Sequence, residues 1–329
     1  MTKKATPASG ARFGEWLYRA GAKLAERVRH RPVVLRGTRV ISVGNLEVGG
    51  GGKTPCVLWW ADALARRRVA SAVVARPWGP KTPSGVTDEV ALLQERLPHG
   101  VSLHTSPNKS EAARRASAAG AQVVVVDDGF SHRRLARDLD LLLLDARHPF
   151  GNGHCLPAGP LREPPEACRR ADAVVLTRAD RADLEERHKT REWLHAAGYE
   201  GPVLLARHRV LGVREAGEVR PASGLAVYCV SGIGRPGELA QAAGAAGLCV
   251  RGAREFPDHH AFTSAEWKEV AAQALSLGAR LLVTAKDAVR LPAEARAQVL
   301  VLEIAWDWME GDLDPERLVD RALAPREAS

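Results

Sequence analysis

Lys53 and Thr54 close a glycine run, Gly49-Gly50-Gly51-Gly52-Lys53-Thr54. That order of residue types suits gripping a phosphate. Glycines let backbone N–H groups turn toward an anion, and the N-terminus of a following helix adds partial positive charge. The lysine then reaches the β- and γ-phosphates of a nucleotide such as ATP, and the threonine hydroxyl takes Mg²⁺. The flanks agree. Val40, Ile41 and Val43 read as a short buried strand, and Cys56 to Arg68 as a helix with Val57, Trp60 and Leu64 on its apolar side. Strand, glycine loop, GKT and helix make the P-loop context. One position departs from GxxxxGK[ST]: Glu47 stands where the first glycine is expected, and the nearest upstream glycine is Gly44.

A nucleotide-bound metal calls for a second acidic element. Residues 122–128, QVVVVDD, form an apolar β-branched run ending in Asp127 and Asp128. Such a run reads as a buried parallel strand whose carboxylates emerge at its C-terminal edge, where open α/β sheets bind ligands. Asp88 and Glu89 precede an apolar-periodic stretch, Val90, Leu92, Leu93 and Leu97. They suit capping of a helix N-terminus. His259 and His260 share a polar loop. Arg162, beside Glu163, suits either a loop ion pair or bidentate phosphate binding.

Apolar β-like runs alternate with helical patterns along the chain: VSLH, DLDLLLLD, ADAVVLT and PVLLARH, then GLAVYCVSG, LCVRGA, ARLLVTA and VLVLEIA. The alternation predicts an α/β fold, a P-loop NTPase-like parallel sheet with helices on both faces, plus a second, smaller α/β domain. The polar stretch 212–224 is the expected boundary. The domains would then be 1–36, 37–215 and 216–329, the last closing an active-site cleft. SGIGRPG, from Ser231, lacks a following Lys-Ser/Thr and reads as a tight turn.

Residues 12–30 carry a helical period with Phe13, Trp16, Leu17, Ala20, Leu24 and Val28 on one face. Arg12, Glu15, Arg19, Lys23, Glu26 and Arg29 fall opposite. The chain has 47 Lys/Arg against 39 Asp/Glu, yet its first forty residues hold ten of the bases and two of the acids. The rest is balanced. A nucleic-acid binder spreads its basic face over a folded domain, so confinement of the charge disfavours nucleic acid and favours an anionic membrane surface. A Trp/Phe/Leu stripe backed by Lys/Arg has the composition of an interfacial helix. The same pattern also describes an amphipathic helix packed on its own domain.

The longest apolar runs fall far short of the roughly 20 residues that span a bilayer. Five scattered cysteines without a C-x-x-C pair argue against a disulfide framework or a zinc site. Neither a secretory h-region nor a repeat is evident. A peripheral protein of the cytosol is the expectation, with no protein partner evident.

Taken together, GNLEVGGGGKTP, DDGFSHRRLARDLDLLLLD, LPAGPLREP, EFPDHHAFT and TAKD stand in an order and spacing that resembles the tetraacyldisaccharide 4'-kinases, the lipid A kinases, over about residues 30–290. The resemblance implies transfer of the ATP γ-phosphate, with Mg²⁺, to the 4'-hydroxyl of a tetraacylated glucosamine disaccharide 1-phosphate. That lipid A precursor lies at the cytoplasmic face of the bacterial inner membrane, which would give the N-terminal helix a purpose. By similarity, Asp88 is the general base and His259 its partner, while Glu89, Asp127 and Asp128 join Thr54 around the metal. Arg76, kept in ARPWGP, and His132, with Arg162, match substrate-facing positions. Ser131 replaces the family's usual Gln, and TDEV lacks the flanking Gly and Pro.

Two rivals remain. A P-loop GTPase or ATPase switch would carry KGGxGKT, but Val48 replaces its lysine. Its guanine-reading motif is only approached by TRAD (Thr177 to Asp180) and NKSE (108–111). A kinase of a soluble sugar or nucleoside would make the N-terminal helix purely structural.

Overall fold

A computed structural model describes residues 9–27, 32–49, 52–77, 79 and 81–324. The chain opens with α1 (Ser9–Arg27), β1 (Arg39–Gly44), α2 (Lys53–Arg66), β2 (Ser71–Ala75), α3 (Asp88–Arg96), β3 (Ser102–Thr105), α4 (Lys109–Ala118), β4 (Val123–Asp127), β5 (Leu139–Asp145) and β6 (Ala173–Thr177). It continues with α5 (Leu184–Ala196), β7 (Val203–Glu215), β8 (Glu218–Arg220), β9 (Ala226–Ser231), α6 (Glu238–Ala245) and β10 (Cys249–Glu255). The last elements are α7 (Ser264–Ser276), β11 (Arg280–Thr284), α8 (Ala285–Ala288), α9 (Ala293–Arg296), β12 (Leu300–Met309) and α10 (Pro315–Leu323). Two compact units form. The first comprises the described residues up to Arg76, Leu97–Arg207 and those from Asp307; the second comprises Pro77–Arg96 and His208–Trp306. Residues 77–96 thus group with the second unit although they lie inside the 37–215 stretch.

In the first unit the strands run β7-β6-β5-β1-β4-β2-β3, all parallel. Every residue of β4 and β5 is buried, as continuous apolar runs require when helices cover both faces. β1 pairs with β4 so that Val43 stands opposite Asp127, which brings the glycine loop and the acidic strand end to one sheet edge. Two glycines let these ends approach. A Cβ on Gly44 would lie 2.5 Å from that of Phe130, and one on Gly129 would lie 2.5 Å from Ser42 Oγ. α2 buries Cys56, Val57, Trp60 and Leu64. Burial of a Leu side chain alone stabilises by about 1.5–3 kcal/mol, so the loop's far end rests on a fixed helix.

In the second unit β10, β9 and β11 pair in parallel, as does β12 with β11. β8 folds back antiparallel on β7, with Val213 opposite Arg220. The stretch 212–224, expected as a domain boundary, is therefore largely a hairpin. Its two-residue tip, Ala216 (φ 49°) and Gly217 (φ 91°), has the paired positive φ that matches strand twist, a signal that a polar composition conceals. α7 starts with a reciprocal cap between Thr263 and Glu266.

Helix α1 corrects one expectation. Phe13 (63% exposed), Trp16 (62%) and Leu17 (51%) face outward, with the Phe13 and Trp16 rings stacked. Glu15, assigned above to the charged outer face, is 7% exposed and points inward. It accepts the Cys155 amide at 2.9 Å and pairs with His154 Nδ1 at 2.8 Å. Burial pushes its carboxyl up, but the Cys155 amide and His154 outweigh that and hold it below the usual glutamate range. Tyr18 donates to the Arg162 carbonyl at 3.0 Å. Val28, Arg29 and the side chains of Lys23, Leu24 and Glu26 lie outside the described residues.

Candidate active site

The glycine loop leaves β1 at Gly44 and enters α2 at Lys53, with Gly52 in the left-handed region (φ 73°) as N-cap. Lys53 Nζ donates to Asn45 Oδ1 at 3.1 Å and to the Gly49 carbonyl at 3.4 Å, and lies 3.6 Å from Asp128 Oδ1. Thr54 follows in the first helical turn. Gly50 and Gly51 lie outside the described residues. The departure at Glu47 has a physical reason. Glu47 forms an antiparallel bridge with Leu161, flanked by Val48 N–H to Pro160 O at 2.9 Å and Arg162 N–H to Leu46 O at 2.7 Å. An extended, bridged residue needs no glycine; the cradle proper begins two residues later.

LPAGPLREP thus forms one wall of the glycine loop, and Arg162 projects from it. Its Nη1 meets Asp128 Oδ2 at 2.8 Å. A third cation joins. Lys109, at the start of α4, is buried and donates to the Asp128 carbonyl. Burial pulls the Lys109 ammonium down, against the opposing pull of Asp128 and Asp127. Burial likewise raises Asp128, but Lys53, Lys109 and Arg162 prevail and hold it far below the carboxylate range. Asp128 itself has φ 49°, a strained value for a residue with a side chain. Two cations on the Asp128 carboxylate and a third on its backbone carbonyl form a cluster that an incoming polyphosphate can bind.

The donors at this edge fit a hard divalent cation. Thr54 offers a hydroxyl, and Asp127 a carboxylate at the buried end of β4. A phosphate-bound Mg²⁺ would need few protein donors, since phosphate and water supply the rest. Among the described residues no group of three or more His, Cys, Asp or Glu makes a self-contained metal cage, and a nucleotide site needs none. Asp128 is instead engaged by Lys53 and Arg162.

His132 Nε2 lies 3.1 Å from Ser110 Oγ, and Ser131 donates to Glu163 Oε1 at 2.6 Å. The serine in place of glutamine therefore anchors the Arg162-bearing loop. Arg76 is exposed at the end of β2. NKSE is a helix start in which Asn108 accepts the Ser110 amide, and Arg178 of TRAD pairs with Asp145. Neither reads a base.

The second unit holds Asp88 and His259 together. Asp88 is fully buried at the start of α3. Its Oδ1 accepts the Glu89 amide at 2.9 Å, and its Oδ2 lies 2.9 Å from His259 Nδ1. That local bond and the histidine contact together fix the direction of the Asp88 carboxylate. Glu89 is half-buried beside it. Two further cations approach Oδ2: Lys286 Nζ at 3.8 Å and Arg290 Nε at 3.7 Å. Burial raises Asp88, but His259, Lys286 and Arg290 hold it below the usual range, ionised at neutral pH. The carboxylate is therefore able to accept a proton, and fixed in direction.

TAKD, left without a role by sequence, builds this arrangement. Thr284 caps α8, and Asp287 accepts the Gly232 amide at 3.0 Å and pairs with Arg290 Nη2 at 2.6 Å. Arg290 also donates to the carbonyls of Gly232 and His260. The SGIG turn and the histidine loop are thereby tied to one helix. Lys109, Lys286 and Arg290 escape a reading by residue type, because a lone Lys or Arg gives no local signal until its partner is known. The regular spacing of TAKD with Arg290 is the hint that was there.

The family model for tetraacyldisaccharide-1-P 4'-kinase matches residues 13–323. The tetraacyldisaccharide 4'-kinase of Anaeromyxobacter sp. (strain K) is 40% identical over 338 residues, covering 93% of this chain and 88% of that protein. Its counterpart from Rhodospirillum rubrum is 37% identical, covering 93% of each. Among solved structures, LpxK from Aquifex aeolicus in complex with ATP superposes with a TM-score of 0.69 at 26% identity, covering 94% of this chain and 96% of that one. A loop that grips phosphates, an ionised carboxylate held by a histidine, and similarity along nearly the whole length converge: this chain belongs to the tetraacyldisaccharide-1-phosphate 4'-kinase family.

Proposed function

We propose that this chain transfers the γ-phosphate of ATP to the 4'-hydroxyl of a tetraacylated glucosamine disaccharide 1-phosphate. The observation that carries the reading is the cluster of Lys53, Lys109 and Arg162 around Asp128 at the end of the glycine loop. Lys53 and the N–H groups of Gly49 to Gly52 hold the β- and γ-phosphates. Arg162 leaves Asp128 for a phosphate oxygen. Thr54 and Asp127, with Asp128 and Glu89 as further donors, would hold Mg²⁺, which would supply charge neutralisation on the transferring group. Asp88 takes the proton of the acceptor hydroxyl, oriented by His259, because a sugar alcohol is a weak nucleophile. Arg76 and His132 contact the substrate.

The outward stripe of Phe13, Trp16 and Leu17 supports a peripheral position on anionic lipid at the cytoplasmic face of the inner membrane. Among the described residues no helix is long and apolar enough to cross a membrane. Since Glu15 and Tyr18 brace the 154–162 loop, Trp16→Glu tests this better than removal of the helix. Loss of vesicle binding is expected, with turnover of detergent-dispersed substrate retained; unchanged vesicle binding would refute the lipid contact.

The central test gives radiolabelled ATP and purified lipid A precursor to wild type, Lys53→Ala and Asp88→Ala. Label on the glycolipid in wild type only is expected. A strong GTP preference, with phosphate released and no acceptor labelled, would favour a regulatory switch instead.

A further inference from the structure

His259 sits between groups that leave its protons little choice. Its Nδ1 lies 2.9 Å from Asp88 Oδ2. At that separation one hydrogen lies between the two atoms, and a ring N–H donating to a carboxylate oxygen satisfies both. On the other side, Nε2 lies 3.4 Å from Lys286 Nζ. An ammonium only donates, so Nε2 must present its lone pair. A competitor stands next to it: Asp258 Oδ2 is 3.7 Å from Nε2 and would draw a hydrogen onto that nitrogen. Lys286 also lies 3.5 Å from Asp258 Oδ1, where it offsets that pull. Of the remaining charged neighbours, Arg290 approaches the same Asp88 Oδ2 at 3.7 Å through Nε and pairs with Asp287 through Nη2, and His260 pairs with Glu266. Glu89, next along α3, lends its amide to Asp88 Oδ1.

We infer that Lys286 is a positioning residue of the transfer reaction, which selects the arrangement of His259 with its hydrogen on Nδ1, so that the ring donates to Asp88. The tautomer of a histidine is set by the bond its other nitrogen makes. In the alternative form, Nδ1 would aim a lone pair at the Asp88 carboxylate, and the two would repel. Asp88 would then lose the contact that fixes the direction of Oδ2. His259 adopts φ 61°, and α8 is clamped to its loop through Arg290, so the ring cannot simply be re-aimed by backbone drift. This inference rests on Asp88 being the acceptor's base for its effect on turnover, but the tautomer itself is read independently.

The experiment uses the full chain labelled with ¹⁵N-histidine at neutral pH. Long-range proton–nitrogen correlation spectra identify the ring of His259 by its absence in His259→Gln. In wild type, Nδ1 should show a protonated-nitrogen shift and Nε2 an unprotonated one. Lys286→Met should lose that pattern, with Nε2 gaining proton character, and Lys286→Arg should restore it. Lys286→Met should also lower kcat by about tenfold or more, part of the 10²–10⁴ that a positioned base contributes, with KM for ATP within about twofold. A protonated Nε2 in wild type would overturn the inference even if no variant folds. So would an unchanged pattern in a folded Lys286→Met. If Asp88→Asn turns over normally while the wild-type tautomer is as stated, the base assignment fails and the role of Lys286 on the ring stands.

Discussion

Two carboxylates in this chain are each ringed by three cationic or cation-capable side chains, and they are built differently. Asp128 is met by Lys53, Lys109 and Arg162, and Asp88 by His259, Lys286 and Arg290. The Asp128 side chain is about one-third exposed, and its lysine contact at 3.6 Å is loose. The Asp88 side chain is wholly buried, and its histidine contact at 2.9 Å is tight. On the proposed reading, the contrast separates an anion that keeps a cation cluster in place until a stronger anion arrives from one that is held still for chemistry. Phosphoryl transfer needs both, since its catalysis is mostly placement and charge neutralisation.

That contrast can be broken at its strongest points first. Lys53→Ala and Asp88→Asn should each lower kcat by about 10³-fold or more, but calorimetry should show ATP binding lost only in the first. Equal ATP affinity in the two variants would erase the distinction. Next, Arg290→Met leaves Asp287 buried without its partner, which should cost about 3–5 kcal/mol of stability in denaturant melts. A smaller loss would mean that Arg290 does not hold the Asp88 site together. Arg162→Ala removes one charge-assisted hydrogen bond of about 1.5–3 kcal/mol. Turnover should fall about tenfold to a hundredfold, and stability should hardly change, because the pair is part-exposed.

The smallest effect is a pH dependence that belongs to neither cluster. Glu303 is buried with Arg96 and Arg214. Burial raises its carboxyl, but the two guanidinium groups more than compensate and depress it. A depressed folded pKa adds stability above the ordinary glutamate range, and that stability is lost as pH falls through the folded value. Glu303→Gln should lower the melting temperature at pH 7 and flatten its decline in acid. An unaltered acid slope would remove Glu303 from that account.

The asymmetry between the sites also governs how much of each was legible in the residues alone. The glycine loop and the acidic end of the Val123–Val126 run were readable because such patterns are local. The apolar runs point to parallel strands but not to which of them pair, so the β1–β4 neighbourhood came from the fold. Asp88 and His259 lie 171 positions apart, and no periodicity joins them; only family resemblance did. Lys286 and Arg290 acquire meaning through partners that tertiary packing supplies. Glu15 was misplaced for a related reason. Helical period sorts residues onto faces, but which face turns inward is decided by what the rest of the fold offers, here the Cys155 amide and the His154 ring.

The hairpin tip at Ala216-Gly217 has a practical use. Both residues are exposed, and two positive φ values in succession show a turn whose geometry is set by its own backbone. Exposed loop tips tolerate inserted sequence well. A short epitope spliced between these residues should therefore leave folding intact and give a handle for pull-down or imaging.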